Sequence, residues 1–113
     1  VTEVILLYAD GDVRAIDLDP SRGDVLRNLT GATTLGTINL RELGLTLWID
    51  DEGLLRDLPL NLAGTLLVWG TGRRPVHPVV GTVVVVGLTH DGGYVDVPDD
   101  LLSLFAHAPQ AAP

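Results

Sequence analysis

The sequence predicts an α+β fold: a single compact domain with a mixed or mostly antiparallel sheet of about five or six strands, packed by two or three short helices. Three observations carry that expectation. The stretch Val79 to Gly87 holds four consecutive valines, no charge, and glycines at Gly81 and Gly87. β-branched residues fit a pleated surface, and a run without polar alternation predicts a strand covered on both faces, hence the central one. The other apolar runs come in pairs joined by turn residues, and each pair is followed by a stretch with helical spacing. The resulting order is strand-strand-helix, three times over.

The elements follow in chain order. Thr2 to Ala9 reads as a strand, apolar over Val4-Ile5-Leu6-Leu7-Tyr8. Asp10-Gly11 is a favoured type I′ hairpin dipeptide, because glycine accepts positive φ. Val13 to Leu18 returns as a second strand, interrupted by Arg14 and Asp17 and so placed near an edge. Asp19-Pro20 predicts a helix start, with Val25, Leu26 and Leu29 as its apolar stripe and Gly31 as its stop. Thr33 to Leu40 and Gly44 to Asp50 read as strands. In the second, Leu45, Leu47 and Ile49 share one face and Thr46 and Trp48 the other. Asn61 is a natural N-cap for a helix over Leu62 to Trp69 that buries Leu62, Leu66 and Trp69 and stops at Gly70. A Gly/Pro loop, Thr71 to Pro78, leads into the valine strand. Tyr94 to Val97 pairs antiparallel with that strand, and Pro98-Asp99-Asp100 opens a last helix carrying Leu101, Leu102, Leu104 and Phe105. Residues 1–106 make the domain, and 107–113 a flexible tail of small residues.

Composition narrows the function classes. At 113 residues, 46% of them hydrophobic, the chain can bury one core, which is aliphatic because aromatics are only 4%. It has no cysteine, so disulfides, thiolate metal sites and thiol nucleophiles are excluded. The start of the sequence lacks a signal-peptide pattern, and no apolar run is long enough for a membrane span, which together predict a cytoplasmic protein. Fifteen acids face seven bases for a net charge of −8, which opposes direct binding to nucleic acid or anionic lipid. All seven bases are arginine, and twelve of the acids are aspartate. Such usage fits a G/C-rich coding bias, as in actinobacteria and their phages.

Four features in this order resemble a domain-of-unknown-function family common in actinobacterial phages, mobile elements and their hosts. They are the start strand running into a short polar turn, the helix ending in Leu29-Thr30-Gly31, and the block Asp51-Glu52-Gly53 followed by Leu58-Pro59-Leu60-Asn61-x-Ala63 and an apolar helix. The fourth is Gly81-x-Val83-Val84-Val85-Val86-Gly87 with an Asp-Gly hairpin. The resemblance covers Val4 to Phe105. It departs at Leu29-Thr30-Gly31, where relatives look more like Leu-Val-Gly-Gly, and at Gly64, where a helix former is expected. It implies a compact domain, a phage or mobile-element setting and no assigned activity. Asn61, Trp69, Gly81 and Gly87 are its structural positions. Asn61 reads as a helix cap, and Trp69 as a core residue.

Among polar constellations, Arg73, Arg74 and His77 form the one basic cluster in an acidic chain. They enter the valine strand from its loop, where two guanidinium forks suit a phosphate, a carboxylate or a protein partner. Asp50, Asp51, Glu52 and Asp57 have the oxygens a hard cation takes but not the calcium-loop spacing, and read as a solvated turn. His90 and Asp91 are adjacent in a hairpin and so point to opposite faces, with no third residue to orient them. His77, His90 and His107 lack metal-ligand spacing, and Gly70-Thr71-Gly72 is not a phosphate loop. These features predict no cofactor, no metal and no catalytic residue. The expected function is a non-enzymatic accessory protein that binds a host or phage protein or a small anionic ligand. The alternatives are an acidic nucleic-acid mimic and an enzyme with an unrecognised site. A homodimer through an edge strand such as Val13 to Leu18 is also compatible with the pattern.

Overall fold

The computed structural model describes residues 2–72, 78–101 and 103. The expectations for Arg73, Arg74 and His77, for Leu102, Leu104 and Phe105, and for the tail 107–113 fall outside the described residues. Six strands form one sheet: β1 (Thr2–Leu7), β2 (Val13–Leu18), β3 (Leu35–Leu40), β4 (Leu45–Asp50), β5 (Val83–Leu88) and β6 (Tyr94–Val95). Their order is β2-β1-β5-β4-β3, and β6 pairs with β5 beyond the end of β1. Every pairing among the described residues is antiparallel. The α-helices are α1 (Gly23–Thr30) and α2 (Leu62–Gly70); a 3-10 turn covers Arg41–Leu43, and a further helical segment begins at Asp99. The α+β architecture follows from this, with the valine strand β5 at the centre of the sheet.

Strand alternation sorts the core into two layers. Ile5 and Leu7 of β1, Leu45 and Leu47 of β4, and Val83 and Val85 of β5 face one side, where Val68 of α2, Val79 and Val97 close over them. Leu101, from the segment that opens at Asp99, packs against the same layer. Val4, Leu6, Leu18, Val84 and Val86 face the other side and meet Leu26 of α1. The valines of β5 therefore alternate between two cores, so each needs an apolar environment and the strand shows no polar period.

Several local details differ from the sequence expectation. The valine run is not one strand: Gly81 has φ of 74°, so Val79 and Val80 turn away and Val80 bridges Leu60 instead. The first hairpin is not a type I′ turn. Tyr8 N–H donates to Asp12 O at 2.9 Å, Gly11 N–H to Tyr8 O at 3.0 Å, and only Gly11 takes positive φ. That is a three-residue loop with a glycine bulge, which lets Asp10 keep an ordinary conformation. Helix α1 starts at Gly23 rather than at Pro20, because the Asp19 carboxylate is spent on a preceding turn. It accepts from Ser21 N–H at 3.0 Å and from the Ser21 hydroxyl at 2.6 Å. The Ser21 hydroxyl bond, with its backbone bond second, holds Asp19 below the ordinary carboxylate range. Gly31 does end α1, with φ of 72°.

The largest correction concerns α2. Its bounds and its Asn61 cap match the expectation, but its orientation is turned. Gly64, Thr65 and Val68 are the buried residues. Leu62, Leu66 and Trp69, expected as the packed face, are 55%, 52% and 46% exposed, while Ala63 and Leu67, expected beside them, do pack against the core. Small residues face the sheet because the helix lies close to it: a Cβ on Gly64 would come 3.0 Å from Val79 and 3.3 Å from Val83.

The acidic turn after β4 is not wholly solvated either. Asp50 is buried and pairs with Arg56, whose Nη1 also donates to Gly31 O at 2.9 Å. Arg56 thus ties the 51–59 connector to both β4 and the end of α1. Arg56→Ala would leave the buried Asp50 carboxylate with the Glu52 N–H as its one remaining partner among the described residues. Because the arginine is about half exposed, solvent screens part of the pair, and an expected loss of about 1–2 kcal/mol in urea unfolding is appropriate. A change within error would show that water replaces the guanidinium at no cost.

Candidate functional site

The surface around α2 is where apolar chemistry and exposure coincide. From Pro59 to Gly72 the chain carries no charged residue. Leu62, Leu66 and Trp69 recur at helical spacing along one stripe, and Leu60, half exposed, lies just before it. A helix that is apolar all round normally lies buried on every side. Here only one side packs on the sheet, so the other presents three large side chains to solvent. Leu54 and Leu55 of the preceding connector are exposed as well.

Asn61 explains why the stripe points outward. The residue is fully buried, and both its amide hydrogens and its oxygen are hydrogen-bonded. Its Oδ1 accepts from Gly64 N–H at 2.9 Å, the N-cap bond. Its Nδ2 donates to Leu7 O at 2.9 Å and to Gly81 O at 2.8 Å. The backbone N–H of Asn61 donates to Val79 O at 2.8 Å. One turn later the Thr65 hydroxyl donates to Asn61 O at 2.8 Å and accepts from Val79 N–H at 3.0 Å. These bonds pin the Asn61-Thr65-Val68 side of α2 to β1 and to the approach to β5. The Leu62-Leu66-Trp69 side is then turned away. The sequence supports Asn61 as a cap, but the two long-range donated bonds were not visible in it. Trp69, expected in the core, belongs to the exposed stripe for the same reason.

Gly81 and Gly87 are both structural. The Gly81 N–H donates to Pro59 O at 2.8 Å, and its positive φ makes the corner that separates Val80 from β5. Gly87 lies beneath the chain that follows β6: a Cβ there would stand 2.5 Å from Asp96 O and 2.7 Å from Val95 O.

The remaining polar candidates do not converge. Asp91 accepts from the Thr89 hydroxyl and from Gly93 N–H, not from His90; the Thr89 bond, first, keeps its carboxyl below the usual range. His90 is exposed. Asp51 leans across Gly36, and Glu52 accepts from the Thr34 hydroxyl at 3.0 Å. Among the described residues no three metal-ligating side chains come together. A mostly apolar pocket of about 190 Å³ lies between Ile38, Ile49, Leu54 and Val80, with Asp50 and Asp51 at its wall. The buried Trp48 indole N–H has no hydrogen-bond partner among the described residues, and its ring meets Tyr94 edge-on at 6.1 Å. Arg73, Arg74 and His77 follow α2 directly in sequence but are outside the described residues. No helix among the described residues is long and apolar enough to cross a membrane.

A family model described as Domain of unknown function (DUF3846) matches residues 2–109. No curated protein and no solved structure matches the chain.

Proposed function

We propose that this chain, which belongs to the DUF3846 family, is a non-enzymatic domain that binds another protein through the exposed apolar stripe of α2. The observation that carries the reading is the exposure of Leu62, Leu66 and Trp69 on a helix whose orientation is locked by buried hydrogen bonds. Contiguous exposed apolar surface marks interaction sites, and aromatic anchors dominate their energetics. The partner that fits is a protein presenting an apolar groove or helix face, because the stripe has no charge with which to hold a phosphate or a carboxylate. This favours a protein over the small anionic ligand. The arginine-only base usage supports placing the protein in an actinobacterial phage, mobile element or host, where it would act in the cytoplasm.

Affinity capture from such a host, comparing the wild type with Leu62→Asp/Leu66→Asp, tests the reading. A specific partner held by the wild type should be lost with the stripe variant, and charge reversal at Arg73 and Arg74 should leave it bound. Retention by the stripe variant would reject α2 as the site. Loss with the loop variant alone would move the site to the loop. A second reading, an acidic nucleic-acid mimic, draws on the net charge of −8 and on Glu3 standing directly across from Asp17 in the β1–β2 pair. It predicts competition with DNA for a DNA-binding host protein.

A further inference from the structure

The five-strand path of the sheet ends in two edges, β2 and β3, and they are built differently. Strand β2 carries Arg14 and Asp17, and Asp12 pairs with Arg14 at 3.1 Å. Charges on an edge strand are a standard device against pairing with other chains. Strand β3 has none: no residue from 28 to 40 is charged, and the strand contains no proline.

The hydrogen-bond register shows what β3 offers. Asp51 N–H donates to Thr34 O at 3.0 Å, so Thr34 and Asp51 are a hydrogen-bonded pair of the β3–β4 ladder. Alternation along an antiparallel ladder then directs the backbone groups of Gly36, Ile38 and Leu40 toward β4. The N–H and C=O groups of Leu35, Thr37 and Asn39 point away from the sheet. Among the described residues none of these outward groups has a backbone partner.

The geometry points to β3 as a strand-addition surface for a second copy of this chain, paired antiparallel across a two-fold axis at Thr37. This goes beyond the α2 reading and is independent of it. The two-fold is specific. Centred on Thr37, it sets Leu35 against Asn39 of the second copy, Thr37 against Thr37, and Asn39 against Leu35. This register uses all the outward groups of both strands. Thr37 is exposed, and a Thr–Thr cross-strand pair is a favourable neighbour.

Charge complementarity selects the antiparallel second copy. Acids stand at the first end of β3, with Asp51 across Gly36 and Glu52 tethered to Thr34. Arg41 stands at the other end, and the adjacent Glu42 already has a partner in its own chain. In the Thr37-centred register the Leu40 end of the second copy, which runs straight into Arg41, comes beside the Thr34 end of the first, where Glu52 is tethered. A parallel arrangement would set acid against acid. The interface is one short strand on each side, below the ~800 Å² per partner of a standard complex, so the dimer is weak and concentration-dependent.

Sedimentation of the full chain between about 10 µM and about 1 mM reads the equilibrium. The expected result is a shift from monomer to dimer across that range. Thr37→Pro should weaken the dimer at least about tenfold with an unchanged circular dichroism spectrum, because the lost N–H points outward and serves no bond within the monomer. If Thr37→Pro does not fold, Thr37→Asp at this exposed site should have the same effect by placing like charges across the two-fold. Because the chain has no cysteine, Thr37→Cys should form a disulfide-linked dimer under mild oxidation, and Ala15→Cys on the β2 edge should not. Arg41→Glu should weaken the dimer, and adding Glu52→Arg should restore it. A wild type that stays monomeric at the highest concentration would overturn the proposal. So would dimerisation of the Thr37 variants at wild-type strength, equal cross-linking at Ala15, or no restoration by the charge swap.

Discussion

Asn61→Ala is expected to lower the unfolding free energy by about 3–5 kcal/mol, a large part of the roughly 5–15 kcal/mol typical of a domain. The substitution removes three side-chain hydrogen bonds at once and leaves Leu7 O, Gly81 O and Gly64 N–H inside the protein without that partner. An unsatisfied buried group costs about 1–3 kcal/mol, and relaxation around the small alanine reduces the sum. Asn61→Asp should be no milder near neutral pH. It keeps the cap acceptor, but it loses both donated bonds and buries a charge facing two carbonyl oxygens. Urea unfolding followed by tryptophan fluorescence measures both. A loss below about 1 kcal/mol for alanine would mean that water enters and satisfies the carbonyls.

Gly87→Ala is expected to cost about 2–3 kcal/mol, within the range for overpacking a tight site. The atoms that a new Cβ meets, at 2.5 Å and 2.7 Å, are backbone oxygens of Asp96 and Val95, not the end of a flexible side chain. The chain after β6 must lift away. That motion strains the Val97 N–H bond to Glu3 O and the Asp96 side-chain bond to Glu3 N–H. Hydrogen exchange should therefore speed up first at Val97 and Glu3, ahead of the amides of β4. Uniform acceleration across the sheet would instead indicate a global effect with no local lifting.

Much of the fold is legible in the sequence because its signals are local. Strand β2 falls on the expected residues, since Val13 and Leu18 bound a β-rich run between turn residues. Leu45, Leu47 and Ile49 share one side of β4 and Trp48 takes the other, because the period of a strand is fixed. What stays hidden depends on contacts distant in the chain. Hydropathy points the Leu62-Leu66-Trp69 stripe of α2 inward, since leucine and tryptophan outweigh glycine and threonine on any scale. The outcome is decided by Asn61 reaching Leu7, 54 positions away, and by the close approach that Gly64 allows. The break at Gly81 is hidden for a similar reason: a glycine inside a valine run looks like a weak strand residue, and its positive φ follows from bonds to Pro59 and Asn61. The exposed stripe is hidden with it. A stretch from Pro59 to Gly72 with no charge and apolar residues on every side of its helix was the available signal.

The place of β5 has a consequence for how the protein is made. The β1–β2 and β3–β4 hairpins are each local, and they share no ladder; β5 pairs with β1 on one side and β4 on the other. During synthesis from the N-terminus, both hairpins emerge before the strand that unites them, which begins at Val83. Until then β1 and β4 each present an open, strongly apolar edge. Pairings so far apart in the chain form slowly, because loop closure comes before the contacts that reward it. The interval between Asp50 and Val83 leaving the ribosome is therefore when the nascent chain is most prone to aggregate, and closure by β5 should be the step that makes folding cooperative.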